Sequence, residues 1–81
     1  MIEKLEERVR DILGEISTLP DDVDNDLKLK DLGMDSLDVT EFVIGLEDEF
    51  ADEGLKVKDE DVHSWKTFGD VVVYVTENVS Q

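Results

Sequence analysis

The residues of this sequence that could do chemistry centre on Ser36, which stands close to the carboxylates of Asp35 and Asp38. A serine nucleophile needs a base within hydrogen-bond reach and a third group that orients the base. The only histidine, His63, lies in a distant polar segment, and the two acids are weak bases unless they are buried. The sequence therefore does not support hydrolysis, and we expect no catalytic residue.

An acidic run offers a second possible site, for calcium. Asp22, Asp24 and Asp26 match the first three ligand positions of an EF-hand loop. The sixth position of that loop should be glycine and is Leu27, and the twelfth should be glutamate and is Gly33. We therefore expect no dedicated metal site, while weak binding of divalent cations to acidic clusters stays open.

Charge and composition narrow the class of protein. The chain has 81 residues, 23 acidic and 8 basic, with a net charge of −15. Such a surface repels nucleic acid and anionic lipid, so we expect basic proteins or cations as partners. The chain has no cysteine, which excludes disulfides and thiolate chemistry of its own and suits a reducing cytoplasm. No apolar run approaches the ~18 residues of a membrane span, and the length predicts one domain over residues 1–81.

Two helices are predicted to position these residues. Apolar residues recur at spacings of three and four over residues 2–16, which predicts an amphipathic helix that ends before Pro20. Gly33 then interrupts the chain, and a second helix is predicted over residues 35–50. Asp35 is its expected N-cap, with Asp38 completing a capping box. Its expected core face consists of Val39, Phe42, Val43, Leu46 and Phe50.

The remaining segments are less regular. Residues 27–32 could form a short strand, but a loop pinned to the core by three leucines is favoured. Residues 51–64 are polar and predict no more than a helical turn around Val62. Thr67 and Asp70 repeat the cap signature before a final helix, which tertiary context favours over the strand suggested by the β-branched run 71–75. Trp65 is expected to fill the core. The predicted fold class is all-α, with three main helices and one short helix.

The second helix also has an exposed apolar line. Leu37 and Ile44 are seven residues apart and project away from the core face. Around them stand four polar or acidic residues: Thr40, Glu41, Glu47 and Asp48. This surface predicts a docking patch for a basic partner, with charge steering the encounter and the apolar side chains supplying contact area. An ordinary solvated helix face is the alternative.

A longer motif surrounds Ser36. It reads Asp-Leu-Gly-Met-Asp-Ser-Leu-Asp over residues 31–38 and continues over residues 41–50 into an acidic helix that ends in Glu-Phe. This motif resembles the signature of the acyl carrier proteins. The resemblance extends more loosely to the first helix and to residues 65–72, and so covers nearly the whole chain.

The resemblance implies that Ser36 carries a 4′-phosphopantetheine arm, flanked by Asp35, Leu37 and Asp38. A phosphopantetheinyl transferase would attach the arm from coenzyme A, and the arm's thiol would hold acyl groups as thioesters. Enzymes of fatty-acid, lipid or polyketide-type biosynthesis with basic docking surfaces would then meet the docking patch. Independently, a phosphodiester suits the first residues of a helix, where free N–H groups and the helix dipole favour an anion. The protein would act as a cytoplasmic monomer, without nucleic acid or membrane insertion.

The sequence departs from the family pattern at two places. In the family pattern a hydroxyl residue is followed by an aliphatic one, and here Val39 and Thr40 stand in the reverse order. Residues 54–65 also differ from the usual short acidic connection. These departures leave open a specialised carrier, including a D-alanyl or peptidyl carrier. Two other classes stay open on the residues alone. One is an acidic adaptor phosphorylated on Ser36, and the other is a divalent-cation sensor.

Overall fold

The fold consists of four α-helices and a 3₁₀ turn in the computed structural model, which describes residues 4–21 and 23–79. The elements run in the order α1 (Leu5–Ile16), the 3₁₀ turn (Leu29–Leu32), α2 (Ser36–Glu49), α3 (Asp59–Val62) and α4 (Phe68–Asn78). The all-α class, with three main helices and one short one, is confirmed. The first predicted helical residues, Ile2 and Glu3, lie outside the described residues. No described helix has the length and apolar character needed to cross a membrane.

The core is built from apolar side chains alone. Within the two described ranges, no polar or charged residue is buried, and twelve apolar residues are: Leu5, Val9, Ile12, Leu13, Phe42, Leu46, Phe50, Leu55, Trp65, Phe68, Val71 and Val75. Trp65 is part of this core, as predicted. On α2 the predicted core face is confirmed for Phe42, Leu46 and Phe50, while Val39 and Val43 are half-buried because they lie at the edge of that face.

A capping box starts α4, and it explains why the β-branched run is helical. The Thr67 hydroxyl accepts a hydrogen bond from the Asp70 backbone N–H (3.2 Å), and an Asp70 carboxylate oxygen accepts from the Thr67 N–H (3.1 Å). The Lys66 N–H donates to the same oxygen and, with the Thr67 N–H, lowers the pKa of Asp70. The ionised carboxylate therefore stabilises the fold, and this contribution is lost as pH falls through the lowered pKa. Once capped, α4 buries one apolar stripe in the core. A strand in its place would have no partner strand in this helical chain.

The long segment between α1 and α2 is pinned to the core, as favoured from the sequence, but residues 29–32 within it form the 3₁₀ turn and not a plain loop. Its leucines Leu27, Leu29 and Leu32 are half-buried against the core cluster. Backbone hydrogen bonds tie it to the start of α4, from Leu29 N–H to the Lys66 carbonyl (2.9 Å) and from Phe68 N–H to the Leu27 carbonyl (2.8 Å). The alternative, a short strand over residues 27–32, is not formed in the described part of the chain. Only an isolated antiparallel bridge joins Lys28 to Thr67 there.

Arg8 joins α1 to the end of α2. Its guanidinium lies 2.7 Å from a Glu49 carboxylate oxygen and 3.0 Å from one of Glu53. The guanidinium carbon also lies 4.3 Å from the centroid of the Phe50 ring. These contacts join residues far apart in sequence and stabilise the packing of α1 on α2 through charge and cation–π attraction.

Two helical glycines should respond to alanine in opposite ways. A Cβ at Gly45 of α2 would lie 2.9 Å from Ile12 Cγ2, a stiff β-branched position on α1, whereas one at Gly14 would lie at an ordinary 3.5 Å from Leu19 Cδ1. Gly14→Ala should raise the free energy of unfolding by about 0.5–1 kcal/mol through helix propensity. Gly45→Ala should lower it by about 1–2 kcal/mol, because α1 and α2 must separate.

Urea unfolding of both variants measures this difference in helix packing. If Gly45→Ala proved as stable as Gly14→Ala, the close contact between α1 and α2 at this point would be wrong.

Candidate functional site at the start of the second helix

Ser36 is the first residue of α2, and its side chain is exposed to solvent. The helix begins there because Asp35 is the N-cap, with one of its carboxylate oxygens accepting from the Asp38 N–H (2.9 Å). An Asp38 oxygen accepts in return from the Asp35 N–H (3.3 Å). The predicted capping box is therefore confirmed, and it fixes Ser36 in the first helical turn.

The chain approaches Ser36 through a tight turn at Gly33. Gly33 has φ of +70°, in the left-handed region that favours glycine, and its N–H donates to the Lys30 carbonyl (3.1 Å). The Ser17 hydroxyl, just after α1, donates to the Leu32 carbonyl (3.2 Å). These bonds hold the 3₁₀ turn against the bundle, so the segment before Ser36 has a fixed path.

The surroundings of Ser36 suit an attached phosphodiester. The N–H groups of the first helical residues have no partner within the helix, and the positive end of the helix dipole lies there. The carboxylates of Asp35 and Asp38 oppose an anion, but each already accepts a backbone N–H through one oxygen. An exposed hydroxyl at this position can accept a group and keep it in solvent.

The docking patch is defined by Leu37, Thr40, Glu41, Ile44, Glu47 and Asp48, and most of it is open to solvent. Leu37 is 66% exposed and Ile44 is 54% exposed, although both are large apolar side chains. Glu41 and Asp48 are exposed beside them. The structure thus brings together the two apolar residues and these two acids on one side of α2.

Thr40 and Glu47 are held by hydrogen bonds of their own. The Thr40 hydroxyl donates to the Ser36 carbonyl (2.9 Å) within the helix. Glu47 is half-buried, and one of its carboxylate oxygens accepts from the Val57 N–H (3.0 Å), which ties α2 to the loop before α3. The structural bond of Glu47 could not be read from its position on the helix, because it depends on where that loop returns.

A cleft of about 740 Å³ runs from Ser36 between α2 and α3. Its apolar lining residues are Val39, Val43, Ile44, Val62 and Trp65, and its polar ones are Ser36, Thr40, Glu47, Asp59 and His63. A smaller cavity of about 190 Å³ shares Val39, Val62 and Trp65 with it and reaches Phe42 in the core. Sequence reasoning missed this cleft, because its far wall is built by α3 and Trp65.

The other chemical candidates gain no support. His63 also lines the cleft, but no hydrogen bond joins it to Ser36 among the described atoms. Of the calcium candidates, Asp22 lies outside the described residues. Within the part of the chain that the structure describes, no group of three or more His, Cys, Asp or Glu side chains could hold a metal ion.

Comparison with known proteins agrees with this site. A family model described as the phosphopantetheine attachment site matches residues 3–75. The acyl carrier protein of Clostridium perfringens is 37% identical over 82 aligned residues, covering 100% of both chains. That of Campylobacter hominis is 42% identical over 77 residues, covering 93% of this chain and 92% of its own. That of Chlamydia trachomatis is 37% identical over 68 residues, covering 83% of this chain and 84% of its own.

The chain therefore belongs to the acyl carrier proteins, the family that bears phosphopantetheine. It is a carrier and not an enzyme, and its cofactor is 4′-phosphopantetheine. The family resemblance predicted from the motif around Ser36 is confirmed.

The cap of α2 can be tested without the cofactor. Asp35→Ala removes the acceptor for the Asp38 N–H and should lower the free energy of unfolding by about 1 kcal/mol. Asp35→Asn keeps an acceptor oxygen and should cost only a few tenths of that. Hydrogen exchange at the first amides of α2, together with urea unfolding, measures the effect. Equal behaviour of the two variants would contradict a capping role for Asp35.

Proposed function

We propose that Ser36 is the residue to which 4′-phosphopantetheine is attached, and that the loaded protein delivers acyl groups to partner enzymes. The observation that carries the proposal is the position of the Ser36 hydroxyl, exposed on the first residue of a capped helix. The attached arm supplies a thiol that holds the acyl group as a thioester, a group that the cysteine-free chain lacks.

The attachment step uses Ser36 as an acceptor. A bond forms between Ser36 Oγ and the phosphorus next to pantetheine, the pyrophosphate bond of coenzyme A breaks, and adenosine 3′,5′-bisphosphate leaves. The hydroxyl proton passes to a base on the phosphopantetheinyl transferase. The cap formed by Asp35 and Asp38 holds the helix start rigid, so the hydroxyl has a fixed position during transfer.

Partner enzymes would recognise the docking patch. Its exposed apolar residues, Leu37 and Ile44, supply contact area, and Glu41 and Asp48 attract basic surfaces. Acyl-transferring and acyl-modifying enzymes of fatty-acid, lipid or polyketide-type pathways fit this description. Val39 lines the cleft, and the Thr40 hydroxyl is bonded to the Ser36 carbonyl. The helix therefore lacks an aliphatic docking side chain at the position of Thr40, which supports a carrier with dedicated partners.

The proposed setting of this function is a reducing cytoplasm, where the thiol of the arm stays free. Residues 1–81 would act as one monomeric carrier domain, built around the single apolar core. The charge of −15 argues against binding to nucleic acid or insertion into an anionic membrane.

The attachment residue is tested by loading the apo protein. Incubation with coenzyme A, Mg²⁺ and a promiscuous phosphopantetheinyl transferase should raise the intact mass by one phosphopantetheine. Ser36→Ala should abolish the gain, because no hydroxyl remains at the helix start, while Ser64→Ala, a matched exposed serine, should keep it. A gain that survives Ser36→Ala, or no gain in the unaltered protein, would refute the proposal.

The docking patch is tested by reversing charges in two places. Glu41→Lys with Asp48→Lys should lower kcat/KM for arm transfer about tenfold at low salt, because the steering charge near Ser36 is reversed. Glu7→Lys with Glu77→Lys makes the same change in net charge on α1 and α4 and should have little effect. Equal losses in both variants would mean that net charge alone matters. Glu47 is left unchanged because of its bond to Val57.

A further inference from the structure

Met34 is the apolar residue that connects the turn at Gly33 to the cap of α2. It stands immediately before the N-cap Asp35 and two residues before Ser36. Met34 is half-buried and packs against the apolar core. Gly33, Asp35 and Ser36 are all exposed. Of the described residues 33–36, Met34 alone therefore fastens the start of α2 to the bundle by apolar contact.

The surroundings of Met34 are apolar on one side and open on another. Met34 lines the smaller cavity of about 190 Å³, where its neighbours include Val39, Phe42 and Trp65. The exposed Lys30 lines the same cavity, so the cavity opens to solvent. A small oxidant can therefore reach Met34, while the packing of Met34 on the core depends on its side chain remaining apolar.

Sulfur is scarce in this chain. It has two methionines, Met1 and Met34, and no cysteine. Before the arm is attached, a peroxide that attacks sulfur in the protein has only these two thioethers to react with. Met1 lies outside the described residues. Met34 is thus the oxidisable sulfur group that stands next to the acceptor serine in the sequence.

We propose that Met34 is a site of oxidative modification, where a peroxide converts the thioether to the sulfoxide and so slows attachment of the arm to Ser36. In this step a lone pair of the Met34 sulfur attacks one oxygen of hydrogen peroxide, the O–O bond breaks and water leaves. The sulfur is oxidised and the peroxide is reduced. A methionine sulfoxide reductase returns the thioether, with a dithiol oxidised to a disulfide and the oxygen lost as water. The effect on attachment rests on the proposed function.

Oxidation changes how Met34 packs, because the sulfoxide oxygen is a strong hydrogen-bond acceptor. Burying such a group among apolar side chains is unfavourable, so the oxidised side chain turns out to solvent. Met34 then no longer fastens the residue before the cap, and the capping box of Asp35 and Asp38 opens more often. The Ser36 hydroxyl loses its fixed position, and transfer of the arm slows.

Mild treatment of the apo protein with hydrogen peroxide tests the site. Trypsin separates the two methionines, because Met34 lies in the fragment of residues 31–56 and Met1 in that of residues 1–4. Mass spectrometry should find one added oxygen on Met34. The value of kcat/KM for arm transfer should then fall about fivefold, and hydrogen exchange at the first amides of α2 should speed up by a similar factor. Oxygen confined to Met1, or an oxidised Met34 with unchanged transfer and exchange, would overturn the inference.

Two variants separate the modification of Met34 from other effects of the peroxide. Met34→Leu keeps an apolar side chain of similar volume that peroxide does not oxidise. Its transfer rate should therefore not respond to peroxide, although Met1 is still oxidised. Met34→Gln places a polar side chain of similar length at the same position and should transfer slowly without any peroxide. Equal losses on peroxide treatment in Met34→Leu and in the unaltered protein would refute a role for Met34.

Reversal gives a further check on the oxidised protein. Methionine sulfoxide reductases with dithiothreitol should remove the added oxygen and restore both transfer and hydrogen exchange. Transfer that stayed slow after the mass of the Met34 fragment had returned would contradict the inference. Hydrogen exchange needs no attached arm. If the untreated protein failed to load, the proposed function would be wrong, while exchange at α2 would still decide whether oxidation of Met34 loosens the helix start.

Discussion

Mutual repulsion among its carboxylates is the constraint on which this structure depends. The chain has 23 acidic and 8 basic residues, so most acids have no basic partner and must stay in water. The core is accordingly apolar throughout the described residues. Several acids accept hydrogen bonds from backbone N–H groups: Asp35, Asp38 and Asp70 cap helices, and Glu47 holds the loop before α3. Acids thus take part in the capping boxes that start α2 and α4.

The carrier site follows from one of these caps. Because the capping box of Asp35 and Asp38 begins α2 at Ser36, the serine hydroxyl lies in solvent while Phe42 and Leu46 on the same helix lie in the core. The exposed side of α2 then leaves Leu37 and Ile44 open to solvent. One helix thus anchors the bundle and, in the function we propose, carries the acceptor and forms the recognition surface.

Local patterns predicted what local physics controls. The cap at Asp35, the cap at Thr67 and the apolar stripe of α2 depend on residues three or four apart, so the sequence was enough to predict them. The cleft at Trp65 and the bond from Val57 to Glu47 could not be predicted, because each requires segments distant in sequence to meet. The β-branched run of α4 shows tertiary packing overriding strand propensity.

The central claim, that Ser36 is the acceptor of the arm, is tested most directly by locating the added mass on the peptide chain. Trypsin should release the fragment of residues 31–56, in which Ser36 and Thr40 are the hydroxyl-bearing side chains. After reaction with coenzyme A and a phosphopantetheinyl transferase, tandem mass spectrometry of this fragment should place the added mass on Ser36. Added mass on Thr40, or on any other fragment, would contradict the account.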